Sequence, residues 1–320
     1  MKALVRRDGR VALDDLPSPK LRRDDDVLIR VVLAGICRTD VYVARGAIPV
    51  AEPRIIGHEF SGYVLDAGPK GGFRPGERVT VNPTVACGAC AGCRHAGACL
   101  EPDFIGVQRD GGFAEQIVAP GRNVLGLPDG LSWRRAAYVE PVAAALSVLN
   151  APIDPHERGL VLGDNRITSL VMRILKAHGF AHATRAAVGD LPPSEALFDF
   201  IIETEATAES LSAMLQRLRP GGLGVLKSRP ASRVPIDVAL AVKKGLRLQA
   251  VDYGPFARAI ELLGDGGLDV DDLLGQSYPL GDFETAFAAS ETHDVTKLFF
   301  AITPAAEAAA ATSAARLVQA

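Results

Sequence analysis

Four of the five cysteines in this 320-residue chain, Cys87, Cys90, Cys93 and Cys99, fall within 13 residues. That is too local for a disulfide framework across a chain of this size, and in a reducing compartment such a cluster suits metal ligation. The spacing Cys-x-x-Cys-x-x-Cys-x5-Cys in a Gly-rich lobe fits tetrahedral Zn2+, whose structural sites keep no coordination position open. The alternative is four exposed free thiols, which would be reactive. His95 lies inside the lobe and can replace a sulfur, although a solvated loop residue is the simpler reading.

A second set is dispersed: Gly-Ile-Cys37-Arg-Thr-Asp, then Gly57-His58-Glu59, then Val-Glu140-Pro-Val. Each piece alone reads as an ordinary satisfied polar group. Together they offer one thiolate, one imidazole and one or two carboxylates. A catalytic zinc needs three protein ligands and a position open to water or substrate.

The elements that carry these residues change character along the chain. Up to about residue 130, apolar segments at Val27–Ala34, Ser61–Asp66, Glu77–Val81 and Gly112–Ala119 alternate with Gly, Pro and Asp turns, as in a β-barrel-like unit. Trp133 to Asn150 has a helical apolar pattern. Strands are then expected at Gly159–Leu162, Ala183–Val188, Phe198–Ile202, Leu223–Leu226 and Leu246–Val251, with helices at Ile167–His178, Ala208–Leu218 and Phe256–Leu263. That alternation argues for a doubly wound parallel sheet. Segments at Tyr278–Leu280, Phe283–Ser290 and Lys297–Ile302 do not extend it. The Ala-rich end reads as a frayed helix or disorder.

The composition is that of a soluble globular protein, with 48% hydrophobic and 23% charged residues and a net charge of −3. No Lys/Arg run exceeds two residues, so no nucleic-acid or anionic-membrane partner is expected. No apolar stretch approaches the ~18 residues of a membrane helix. The amino terminus lacks a secretory apolar region, which makes a cytoplasmic location the default.

Cys-x-Thr-Asp, Gly-His-Glu and the four-cysteine lobe, in this order and ahead of a βαβ region, resemble the zinc-containing medium-chain alcohol dehydrogenases. The resemblance runs from Met1 to about Thr303 and continues in FAEQIVAP, VEPVAAAL, RLRPGGLGVLKS and GPFARAIELLGDGGLDVDDLL. It implies an α/β protein with a GroES-like β-barrel catalytic domain over residues 1–148 and 276–304. A truncated Rossmann-like doubly wound parallel sheet would cover 149–275, followed by a tail over 305–320. It also implies two zinc ions, one catalytic and one structural.

By the same resemblance, Cys37 and His58 are catalytic zinc ligands. Glu140-Pro141 stands where many relatives have a third cysteine, as in the polyol-dehydrogenase branch. Glu59 matches a carboxylate that ligates directly or from the outer shell, so Glu59 and Glu140 both remain candidates. Asp40 matches a residue that orients the histidine, and Thr39 the hydroxyl that takes the alcohol proton; Thr39 also reads as a helix N-cap. Tyr42 stands where a relay histidine is common. Arg38 matches a pyrophosphate-binding base in some relatives, a surface arginine being the other reading. The expected partners are a small-molecule substrate and further copies of the chain, as a homodimer or homotetramer.

The cofactor half departs from the family. The G-x-G-x-x-G turn reads Gly163-Asp164-Asn165-Arg166-Ile167-Thr168, so Gly163 is kept while Asn165 and Thr168 replace the other glycines. Those glycines admit the pyrophosphate and let helix and strand pack closely. Beyond the second strand, GDLPPSEAL leads at once to FDFIIE, which resembles the family's fourth strand. A helix and third strand are therefore missing, and the short crossover suggests a displaced second strand. The resemblance favours an enzyme that oxidises an alcohol or reduces a carbonyl with NAD or NADP, with Arg38, Gly163 and Asn165 as cofactor residues. The departures favour a zinc Lewis-acid enzyme that has lost the dinucleotide and carries out elimination, isomerisation or hydrolysis. A scaffold that keeps only the metal lobe is a third reading.

Overall fold

The computed structural model describes residues 1–95, 98–191, 197–292 and 295–317. They form two compact units, Met1–Glu140 with Asp271–Ala320, and Pro141–Val270.

The first unit is built on the strand Asp26–Gly35, whose sequence DVLIRVVLAG is apolar nearly throughout. A strand buried on both faces needs that composition. It pairs antiparallel with Glu59–Ala67, with Gln116–Pro120 through its first residues and with Lys297–Ala301 through its last. Arg78–Val81 and Val124–Gly126 extend one side of this sheet and Leu274–Pro279 the other. Val27, Ile29, Val31, Phe60, Phe113 and Phe300 form the centre of its core. A smaller sheet holds Arg10–Asp15, Lys2–Arg7 and Arg54–Ile55. Of the segments after Gly275 that break the βα alternation, those at Tyr278 and Lys297 return to this unit as strands of its main sheet, with the helix Phe283–Thr292 between them.

The Ala-rich tail is neither frayed nor disordered across its described part. It is a helix, Ala305–Leu317, whose Ala308 packs beside Val32 and Tyr63. Residues 318–320 of that tail lie outside the described residues. Among the described residues no helix is long and apolar enough to cross a membrane.

The second unit is an α/β arrangement on a parallel sheet. Among the described residues its order is Ala183–Ala186, Gly159–Leu162, Phe198–Glu203, Leu218–Leu226 and Arg247–Ala250. Central Gly159–Leu162 is buried throughout, whereas the two outer strands are largely exposed, because only one neighbour covers each. The second strand is not displaced: Ala183–Ala186 pairs residue for residue with Gly159–Leu162. The reason is length. The strand ends at Ala186 rather than Val188, leaving residues 187–197 for the crossover. Eleven residues span at most about 36 Å, which leaves room to pass one strand and return even with the 3-10 turn at Val188–Asp190. Residues 192–196 of that connection lie outside the described residues.

Candidate functional site

Pairing in the main sheet brings the dispersed ligands together. Gly35 lies opposite Glu59 in the antiparallel pair, so Cys37 just beyond one strand and His58 just before the other share one end of the sheet. Cys37 is the N-cap of the helix Arg38–Ala44, the place expected for Thr39, which instead lies half-buried in the first turn. Asp40 ties the two ligands. Its Oδ2 accepts from the Cys37 amide at 2.9 Å, and its Oδ1 lies 2.9 Å from His58 Nδ1. A carboxylate there accepts a hydrogen bond from Nδ1–H and leaves Nε2 as the ligand atom.

On that Nε2 side, Glu140 Oε1 lies at 3.9 Å. Glu140 sits in the first turn of Val139–Leu146, where Pro141 costs no intrahelical hydrogen bond. The preceding helix Trp133–Ala137 is fastened to the sheet by Ser61, whose hydroxyl donates to the Trp133 carbonyl at 2.9 Å. Cys37, His58 and Glu59 have ligand atoms within 4.8 Å of one another. The Phe104 ring lies 5.1 Å from the His58 ring. Burial alone would lower the His58 pKa, but Asp40 and the Cys37 sulfur hold it well above the usual histidine value. Converging anionic groups make this a place that stabilises positive charge.

Glu59 has a partner that the sequence motifs did not reveal. Lys297, 0% exposed, donates from Nζ both to Glu59 Oε2 and, at 3.1 Å, to the Ile36 carbonyl. Gly35 makes the room, since a Cβ there would stand 2.6 Å from that carboxylate oxygen. A lysine opening the apolar run KLFFA is the only sequence signal for this contact. Tyr42 is half-buried on the Arg38–Ala44 helix and Arg38 is exposed.

The four-cysteine lobe forms a second cluster, Cys87, Cys90, Cys93 and Cys99. Cys87 and Cys93 sulfurs lie 3.9 Å apart, as do those of Cys90 and Cys99. A zinc with Zn–S bonds of about 2.3 Å places tetrahedral sulfurs about 3.8 Å apart, so the set fits the ion. Backbone amides point at the sulfurs, Leu100 and Cys93 at Cys90 and Ala89 and Cys90 at Cys87. They draw the Cys90 thiol down to about 6, while the adjacent Cys90 pushes Cys93 up to about 12. Crowded sulfurs do not all ionise unless a cation joins them. His95 is exposed and outside the cluster.

In the second unit, Gly163 and Asn165 share the turn between Gly159–Leu162 and the helix Arg166–Ala177. Asn165 caps this helix: Oδ1 accepts from Ile167 N at 2.9 Å and Thr168 N at 3.1 Å. Its own amide donates to Thr168 Oγ1 at 3.3 Å, and its Nδ2 to the Thr204 carbonyl at 3.1 Å. The Thr168 and Thr204 hydroxyls meet at 2.7 Å, and Thr204 Oγ1 donates to the Leu162 carbonyl at 3.1 Å. Gly163 has φ +143°, and a Cβ there would lie 2.3 Å from Thr204 Oγ1. Thr204, following FDFIIE, is a second contributor that no motif marked.

Residues 23–129 match the alcohol dehydrogenase GroES-like domain. The two candidate metal clusters and the parallel sheet of the second unit accompany this domain match. Along its length the chain resembles the L-threonine 3-dehydrogenase of Chromobacterium violaceum, at 29% identity over 90% of this chain and 96% of that protein. The alcohol dehydrogenase TADH of Thermus sp. ATN1 shares the fold with a TM-score of 0.84 at 23% identity, covering 95% of this chain and all of that one (100%). A short chain alcohol dehydrogenase of E. coli CFT073, complexed with NADH, does so with a TM-score of 0.83 at 23% identity, over 94% and 99% of the two chains.

Proposed function

We propose that the chain is a zinc-dependent enzyme acting on an oxygen-bearing carbon of a small molecule, an alcohol or a carbonyl compound. The observation that carries this reading is the single Asp40 carboxylate that orders Cys37 and His58 while leaving Nε2 directed toward Glu140. Cys37, His58 and Glu140 would hold the catalytic metal. Zinc bound there supplies a Lewis acid for the substrate oxygen. Glu59 is assigned to the outer shell, because Lys297 already engages its charge. Thr39, two residues past Cys37, would receive the substrate proton, and Tyr42 on the same helix would pass it outward. The four-cysteine lobe would hold the structural zinc.

Amino alcohols such as threonine are the first substrates to test, given the relative's name. NAD(P)-linked oxidation is the reading the relatives favour, with Arg38, Gly163 and Asn165 as its cofactor residues. The turn does not fit that cofactor, because the Ile167 and Thr168 amides at the helix N-terminus are engaged by Asn165. The degenerate, shortened nucleotide domain belongs to the same proposal. A homo-oligomer is supported by exposed Val238 and Val242 on the helix that precedes the outer strand Arg247–Ala250, whose Leu248 is 39% exposed.

Metal analysis tests the central reading. After chelation and reloading, the native chain should hold two zinc ions and Cys37→Ala one. Two retained by Cys37→Ala would refute the assignment.

A further inference from the structure

In an open parallel sheet, ligands enter the crevice at the carboxyl ends of the strands where strand order reverses. Here the first strand of the unit, Gly159–Leu162, lies between the second and the third, so the reversal falls between Leu162 and Glu203. That is the position of the Gly163–Thr168 turn and of Thr204.

The Gly163, Asn165, Ile167 and Thr168 amides of the turn are all spent internally. Asn165 Oδ1 takes the Ile167 and Thr168 amides, and Thr168 and Thr204 satisfy each other. Gly163, the one glycine retained, is required for the approach of the Thr204 hydroxyl rather than of a ligand. Asn165, Thr168 and Thr204 are 8%, 1% and 6% exposed, so the knot is packed and not a loose surface cap. Arg166 brings a cation to the turn, but its side chain is buried as well, at 8% exposure. The rim beyond is closed in the same way. Glu203 accepts from the Lys227 and Ser228 amides at 2.9 and 3.0 Å and from the Ser228 hydroxyl at 2.7 Å. Ser228 Oγ in turn accepts from Ala206 N at 2.8 Å. Opening the turn to a phosphate would break several buried hydrogen bonds together, each costly when left unmade.

We infer that the Gly163–Thr168 turn is a locked structural joint that takes no dinucleotide, and that the reaction at the metal centre is redox-neutral. The second half rests on the zinc-enzyme reading above; the first does not. With no hydride acceptor, substrate and product share one oxidation level. In loss of water, for example, a proton leaves one carbon, hydroxide leaves its neighbour, and the C–H electron pair becomes the new double bond.

The test uses the zinc-replete full chain. NADH and NADPH are titrated by fluorescence, and NAD and NADP by calorimetry, up to about 1 mM. Hydrogen exchange is followed in parallel on the segment holding Ile167 and Thr168. The inference predicts no saturable binding and no change in exchange at those amides. Saturable binding of any of the four nucleotides, or added protection at Ile167 and Thr168, would overturn it. Zinc content measured on the same sample separates the two readings. A chain with one zinc and no nucleotide binding would refute the metal-centre proposal, and with it redox-neutral catalysis, while leaving the locked joint standing.

Discussion

The end of the main sheet in the first unit and the turn of the parallel sheet in the second use the same chemistry to opposite effect. Both are buried knots of hydrogen bonds around short polar side chains. At the metal centre, Asp40 spends its oxygens on the Cys37 amide and His58 Nδ1, and the ligand atoms of Cys37 and His58 remain within 4.8 Å of each other. At the turn, Asn165, Thr168 and Thr204 spend theirs on one another and on the backbone. A preorganised site positions groups it does not consume; a structural joint consumes them all.

The comparison can be broken most forcefully at the cysteine lobe. Cys93→Ser should remove one zinc and sharply lower folded yield, since structural zinc can contribute on the order of 10 kcal/mol to the fold it closes. Normal stability with half the zinc would contradict a structural role.

Next is the buried ion pair. Lys297→Met strands the Glu59 carboxylate and should destabilise the chain by about 3–5 kcal/mol in denaturant unfolding. Adding Glu59→Gln should restore much of the loss, because the uncompensated charge is gone; equal damage in the double variant would show packing rather than charge to be at work.

Asp40→Asn keeps the shape but removes the anion beside His58. Zinc affinity of the catalytic site should fall about 10–100-fold, read by competition with a chelating dye. The lobe zinc should be unaffected.

The smallest effect is expected at the joint. Asn165→Ala removes the cap and should cost about 1 kcal/mol of stability without altering zinc content. A change in zinc occupancy there would erase the distinction between the two regions.

Much of the metal chemistry was legible in the sequence because residue type and spacing carry it. Four sulfurs at short intervals announce their cluster, and Cys37, Asp40 and His58 gather where the paired strands end. What was not legible depends on distant pairing. Lys297 reaches Glu59 across 238 residues of sequence, and Thr204 meets Thr168 only because two parallel strands lie side by side. The strands Lys2–Arg7 and Arg10–Asp15 carry a weak sequence signal because charged residues dominate the pair's exposed strand and its ends. The strand expected from Leu223 begins at Leu218, since its irregular start follows the neighbouring strand's register rather than local propensity. Lost glycines were visible, but the hydrogen-bonded knot that replaces them needed the third dimension.

The identity of the third ligand is where the account of the metal centre stands or falls. Zinc per chain should be measured for Glu140→Ala and Glu59→Gln side by side, each confirmed as folded. The account predicts loss of one zinc in Glu140→Ala and full retention in Glu59→Gln; retention in the first with loss in the second would contradict it.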